Sequence, residues 1–347
     1  MPLDAGQFES DAEFDNERWY EILKSVTFPS VFEPLSQAEA RAMIKEYRCR
    51  YCGDVEPGID ERRALLALMD RLDGMFAAVG GSAFVRLSSR SPKDAITLQP
   101  STFIEAAPPD ESANDRLSRF FRESGATLRV TEGLEGLNLL LSSERIFVDL
   151  LKSLEHKEQV GWQVQICARE WAPGLDDTFE FRGFVADGDL VALSQYNHMI
   201  YVGRLHQEQP RLQQMISDFY QHSVQPLLRN GGIRDCIVDF AVIGERCWVI
   251  ELNPANVRTG PGLFSWENDQ VRLLPSRSLY NPSPLPLPLL NHVKSSSHER
   301  NMYRSYSQGR RETLSFGLWR SPTRKTRRLT RKGVACGCRS PSSRQAP

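Results

Sequence analysis

Nothing in these 347 residues approaches the roughly 18 to 20 consecutive apolar residues of a membrane-spanning helix. The first residues, MPLDAGQFESDAEFDNERW, are acidic and carry no apolar core of a secretory signal, so the expected location is cytoplasmic. Seven cysteines give no disulfide framework. Cys49 and Cys52 form a single CxxC and Cys336 and Cys338 a CxC, with no second matching pair or histidine cluster to complete a zinc site. Cys167, Cys236 and Cys247 lie in apolar runs and read as small buried hydrophobes. There is no Walker A sequence, and Gly260 and Gly262 in RTGPGLF do not open a helix after a strand as a dinucleotide fingerprint does. The ADGD stretch at 186–189 lacks the later ligands of a calcium loop. No Ser, Cys or Thr is placed with a His and an acid to form a nucleophilic triad, and His198 and His206 read as incidental.

What is present is uneven in charge. Residues 291–347 carry fourteen Lys and Arg against only Glu299 and Glu312, which leaves 29 basic and 42 acidic residues in the body. An acidic body suits a basic partner and disfavours non-specific nucleic-acid binding; only the basic tail is a candidate for RNA contact. Low apolar content after Pro282 leaves little to offset the entropy of ordering, so residues 284–347 are expected to be a disordered Pro/Ser/Arg-rich tail.

Periodicity divides the body. Over 1–79 the pattern is helical: Ser36 with Glu39 three residues on reads as a capping box, and Leu65, Leu68, Leu72, Met75 and Phe76 form one apolar face ended by Gly80 and Gly81. A first mixed segment over 80–168 begins with the strand SAFVRLSS; ITLQ is a possible second strand, and 134–154 has helical spacing. In VGWQVQICAREW, Trp162, Val164, Ile166 and Ala168 share one face and Gln163, Gln165, Cys167 and Arg169 the other. A second segment over 169–283 contains two hairpins, EFRGFVADGDLVALSQYN and IVDFAVIGERCWVIELNP, separated by a helix over 211–229 interrupted near Pro226. Mixed helices with hairpins predict an α+β fold with antiparallel sheets.

The second hairpin carries the chemistry. A three-residue loop Gly244-Glu245-Arg246 sets Asp239 opposite Glu251, with Asn253 one pleat further on the same face. Two facing carboxylates repel unless a cation lies between them, and oxygen ligands of this kind suit Mg²⁺ shared with substrate phosphates. With a two-residue turn Asp239 faces away. The competing reading pairs Asp239 with an arginine. Arg86, Lys93 and Arg182 are candidate phosphate contacts, although Arg86 and Lys93 alone are more often surface cations, and Arg182 alone is more often an ion-pair partner of Glu180 or Glu170. A two-residue turn at Asp187-Gly188 sets Glu180 opposite Gln195 and Arg182 opposite Leu193, making Arg182 and Gln195 diagonal neighbours. Asp239→Ala is expected to weaken magnesium-dependent binding and leave the fold intact.

In chain order, FVRLSSRSPKDA (84–95), REW (169–171), EFRGFV (180–185), LVALSQYN, VDFAV around Asp239, and WVIELNP followed by LFSWE resemble the cell-division-cycle 123 family over about residues 15–282. The resemblance implies an ATP-grasp-like fold, two subdomains over 80–168 and 169–283 enclosing a nucleotide cleft. It also implies ATP binding by Arg86, Lys93, Arg169, Glu170, Trp171, Arg182, Gln195 and Asp239, with Arg169–Trp171 as the adenine-side hinge. Asp239, Glu251 and Asn253 would ligate Mg²⁺. Arg86 stands where lysine is usual, Ser88-Ser89 where Asn-Trp is typical, Tyr196 where many members have arginine, and Glu251 where aspartate is usual. The function implied is an ATP-binding assembly chaperone for translation initiation factor 2, binding its gamma subunit without rapid turnover. The alternative is an ATP-grasp ligase joining a carboxylate to an amine through an acyl phosphate.

Overall fold

Residues 12–95, 110–269, 273 and 316–317 are described by the structure, a computed structural model. The first half runs α1 (Asn16–Leu23), β1 (Ser30–Pro34), α2 (Gln37–Cys52), α3 (Ile59–Ala78) and β2 (Ala83–Leu87). It continues with α4 (Ala113–Ala126), β3 (Arg129–Val130), α5 (Gly133–Leu141), α6 (Glu144–Val160) and β4 (Gln165–Glu170). The capping box forms: Glu39 N donates to Ser36 Oγ at 3.2 Å and Ser36 N to the Glu39 carboxylate at 2.7 Å. Two donors that a helix start leaves unpaired are thereby satisfied. The expected face of α3 is buried, and the apolar spacing over 134–154 resolves into α5 and α6. They break at Ser142-Ser143 because Ser143 Oγ accepts from Ile146 N at 3.1 Å and caps the second helix.

These elements surround an antiparallel sheet of order β1-β4-β2-β3. Strand β1, SVFEP, has neither alternation nor a β-branched run and was not expected in the helical N-terminal segment. On β4, Ile166 and Ala168 enter the core with Val85, Leu68 and Leu72, so Cys167 and Arg169 lie on the opposite face.

The second half contains β5 (Glu180–Ala186), β6 (Asp189–Gln195), α7 (Gly203–Phe219), α8 (Gln225–Asn230), β7 (Cys236–Ile243) and β8 (Arg246–Asn253). Its sheet has the order β8-β7-β5-β6-β9, antiparallel apart from β9 (Phe316–Gly317), which pairs parallel with Leu193 and Ser194. Phe181, Val238, Phe240 and Val249 pack under Leu212 and Ile216 of α7. Between α7 and α8 the interruption is a π turn at Tyr220–Val224, not Pro226. That proline occupies the first turn of α8, directly after the π turn. The ITLQ segment and the tail other than β9 lie outside the described residues. Among those residues no helix is long and apolar enough to cross a membrane.

Candidate functional site

Asp239 does face Glu251, but not for the expected reason. The β7–β8 turn has two residues, Gly244-Glu245, because Ile243 pairs with Arg246. Gly244 takes φ +60° at the first turn position, where only glycine is comfortable. That register alone would turn Asp239 away. A bulge between Asp239 and Phe240 corrects it: Phe240 pairs with Val249, Ile250 is the extra residue, and Asp239 pairs with Glu251 and Ile237 with Asn253. The bulge is held from outside the hairpin. Arg169 Nη1 donates to Ile250 O, Thr27 Oγ1 to Val249 O at 2.7 Å, and Val249 N to Val26 O at 2.9 Å.

The β5–β6 hairpin shows the converse. Its Asp187-Gly188 turn has two residues with φ of +52° and +83°, as expected for an Asp-Gly turn. A bulge between Phe184 and Val185 then shifts the register, so Arg182 pairs with Ser194 instead of Leu193, and Gln195 with Phe181. Arg182 and Gln195 therefore lie on opposite faces, and the expected diagonal contact is absent. Gln195 Nε2 instead donates to Asn197 O at 2.9 Å and Ile200 O at 3.2 Å, bracing the following turn. The neighbouring Tyr196 joins the cluster in its place. Its ring centre is 5.0 Å from Lys93 Nζ and 4.9 Å from the Arg182 guanidinium carbon, and Lys93 Nζ donates to its hydroxyl at 3.3 Å.

Arg182, Asp239, Glu251 and Asn253 share one face. Arg182 Nε and Nη2 donate to the two Asp239 oxygens at 2.8 and 2.7 Å, and Arg182 Nη1 to Gly260 O at 2.7 Å. Asn253 Nδ2 donates to Asp239 Oδ2 at 3.2 Å. From the other sheet, Arg86 Nη1 donates to Glu251 Oε2 at 2.7 Å. Both competing readings of Asp239 are thus represented: it faces a second carboxylate, and it is paired with an arginine. The loop after β8 closes over this face. Gly262 has φ +63°, and a Cβ there would lie 2.5 Å from Ser194 Oγ, which accepts from Leu263 N at 3.0 Å.

Arg169, Glu170 and Trp171 stand at the end of β4. Arg169 points inward, its Nε donating to Ser30 Oγ at 3.1 Å and its guanidinium lying 5.7 Å from the Trp19 ring centre, while Nη2 is buried without a partner. Burial, reinforced by Arg86, lowers its pKa from the usual arginine value. Glu170 N donates to Pro29 O at 2.8 Å and Trp171 N to Ser82 O at 2.9 Å, so these two N–H groups are already committed. Ser88 is buried and Ser89 Oγ donates to Asp149 at 2.7 Å.

Glu180, which sequence reasoning treated only as a possible partner of Arg182, lies on the same face. Burial pushes its carboxyl up to about 7, opposed by Lys93 and reinforced by Asp239. Burial would also raise Glu251, but Arg86, Lys93 and Arg182 outweigh it and hold that carboxyl well below the usual range. Tyr196 is the main influence raising the Lys93 ammonium. The signal for Glu180 was its alternation with Arg182, visible in the sequence but not distinguishable there from an ordinary surface acid.

Two carboxylates and an amide oxygen are hard donors of the type a divalent cation takes with phosphates. Among the described residues no group of three His, Cys, Asp or Glu is gathered for a metal, so any such site rests on this trio. Arg86, Lys93, Arg169 and Arg182 outnumber Asp239, Glu251 and Glu180, and Glu180 is itself pushed towards neutrality. The excess positive charge fits a polyanion better than a bare metal. A separate cavity of about 350 Å³, lined by residues including Met215, Phe219, Arg246 and Trp248, contains none of these groups.

The family model D123 matches residues 120–308, more than half of the chain. The chain belongs to the D123 family. Among its relatives, the translation initiation factor eIF2 assembly protein of Candida albicans is 24% identical over 205 residues, 57% of this chain and 52% of that protein. The protein of the same name from Dictyostelium discoideum is 26% identical over 193 residues, 54% of this chain and 43% of its own length. The matches thus span about half the length of these curated relatives. The solved structure of Cdc123 from Schizosaccharomyces pombe superposes with a TM-score of 0.56 at 20% identity, over 81% of this chain and 96% of that one. This likeness supports the α+β architecture with its two sheets.

Proposed function

We propose that this D123-family chain is an ATP- and Mg²⁺-binding assembly factor for translation initiation factor 2 in the cytoplasm, acting on its gamma subunit. The supporting observation is the meeting of Arg86, Lys93 and Arg182 with Asp239, Glu251 and Asn253 where the two sheets meet. The names of the relatives supply the assembly role. Asp239, Glu251 and Asn253 would hold the metal, whose charge would screen phosphate oxygens when bound. Arg86 and Arg182 already serve as counter-charges to the two carboxylates, and both guanidinium groups are within the same cluster as Lys93 to receive phosphates. The acidic body then offers a surface for a basic partner.

Calorimetry with ATP, with and without Mg²⁺, tests the site. Wild type should bind with magnesium dependence, and Glu251→Gln should lose most of that dependence. Capture of purified gamma subunit by the ATP-loaded chain tests the role. ATP binding without gamma capture removes the assembly role, and acceptor-dependent release of ADP and phosphate would favour the carboxylate–amine ligase.

A further inference from the structure

One cation beside the cleft was not singled out by the sequence. Arg145 lies on the first turn of α6, and two contacts fix that turn relative to Lys93. Ser143 Oγ donates to Asp94 Oδ1 at 2.6 Å, and Arg145 N donates to Asp94 Oδ2 at 2.9 Å. Asp94 is the chain neighbour of Lys93, whose ammonium rests on Tyr196. The start of α6 is therefore held against the segment that places Lys93.

The surrounding acids leave the Arg145 guanidinium uncompensated. Its i,i+4 neighbour on α6 is Asp149, but that carboxylate already accepts from Ser89 Oγ at 2.7 Å and from Arg90 at 3.2 and 3.3 Å. Asp94 is engaged by Ser143 and by the backbone, and Glu251 by Arg86. Among the described residues the Arg145 guanidinium has no hydrogen bond or ion pair of its own. The residue as a whole is exposed, yet partial burial of the guanidinium is the largest influence on it and lowers its pKa, with Arg90 acting the same way and Asp94, Tyr196 and Glu251 opposing. An exposed cation with free donors, on a turn held against the segment of Lys93, is available to an anion that approaches Lys93.

We propose that Arg145 binds the outermost phosphoryl group of the nucleotide in the cleft, and so favours the triphosphate over shorter forms. The proposal rests on the ATP reading above. It assigns to Arg145 the outer phosphate, while Arg86, Lys93 and Arg182 line the inner wall. Because the side chain is exposed and unpaired, its removal should not alter folding.

The test is calorimetry with Mg-ATP, ADP and AMP on wild type, Arg145→Gln and Arg145→Lys, with thermal unfolding of each. A lost charged hydrogen bond should weaken ATP binding roughly tenfold or more. ADP and AMP affinities should change far less, lysine should partly restore ATP binding, and the unfolding temperature should stay at the wild-type value. Equal ATP binding by wild type and Arg145→Gln overturns the proposal alone, as does an equal loss for all three nucleotides. Wild type that binds no nucleotide overturns both this proposal and the ATP reading.

Discussion

Asp239 is almost fully buried, and both its oxygens are taken by Arg182, itself nearly buried. Removing one member of such a pair strands the other charge, which costs about 3 to 5 kcal/mol. Asp239→Ala should therefore lower the unfolding temperature by several degrees even where the fold is kept; a wild-type melting curve would contradict the buried pair. Glu180 gives a pH signature. Its folded pKa of about 7 lies above its ordinary value of 4.5, so the folded state holds a proton that the unfolded chain releases. Stability from this group is complete below about pH 4.5 and is lost as pH rises through 7, by on the order of 3 kcal/mol. In Glu180→Gln that part of the decline should vanish from urea unfolding measured between pH 4.5 and 7.5. An unchanged slope would place the titration elsewhere.

At the scale of elements, the two hairpins show how one residue decides a face. Side chains alternate with period two, so each bulge transfers every residue beyond it to the other side of its strand. In β7–β8 the extra Ile250 brings Glu251 to Asp239; in β5–β6 a bulge takes Gln195 from Arg182 and leaves Tyr196 beside it. Deleting Ile250 should restore an unbroken two-residue-turn register in which Glu251 and Asn253 stay on the face of Asp239, because the extra residue itself is what is removed. Magnesium-dependent ATP binding should then survive, while about 1 to 3 kcal/mol of stability is lost, because the buried Arg169 guanidinium loses the Ile250 carbonyl to which it donates. Loss of binding in a folded deletion variant would show that the bulge itself, and not the facing of Asp239 and Glu251, positions the site.

Across the whole molecule, the site exists because two sheets meet. Arg86 reaches from β2 to Glu251 on β8, and Arg169 reaches from β4 to the carbonyl of Ile250 in the bulge. Helix α1 lies alongside: Trp19 lies beneath Arg169 yet packs into the core of the five-stranded sheet. One arginine therefore ties the first sheet to the second and stabilises the irregularity that sets the second sheet's register. Beside the hinge role that the family resemblance implies, Arg169 braces the two halves against each other, and its Nη2 is buried without a partner.

The sequence by itself determined most of the elements, though not β1, and named six of the groups that the fold brings together. Capping chemistry marked the start of α2, alternation separated the two faces of β4, and the order of Arg86, Lys93, Arg182, Asp239, Glu251 and Asn253 along the chain identified the groups that converge. These are local signals, written in propensity and period. Register, partner and face were decided only by tertiary structure. The bulges depend on Arg169, Thr27 and Val26 arriving from the rest of the chain, and Arg145 and Glu180 reveal themselves only through what surrounds them. The physical reason is that one inserted residue changes no local preference appreciably, yet inverts a strand, and only distant donors determine whether it is inserted.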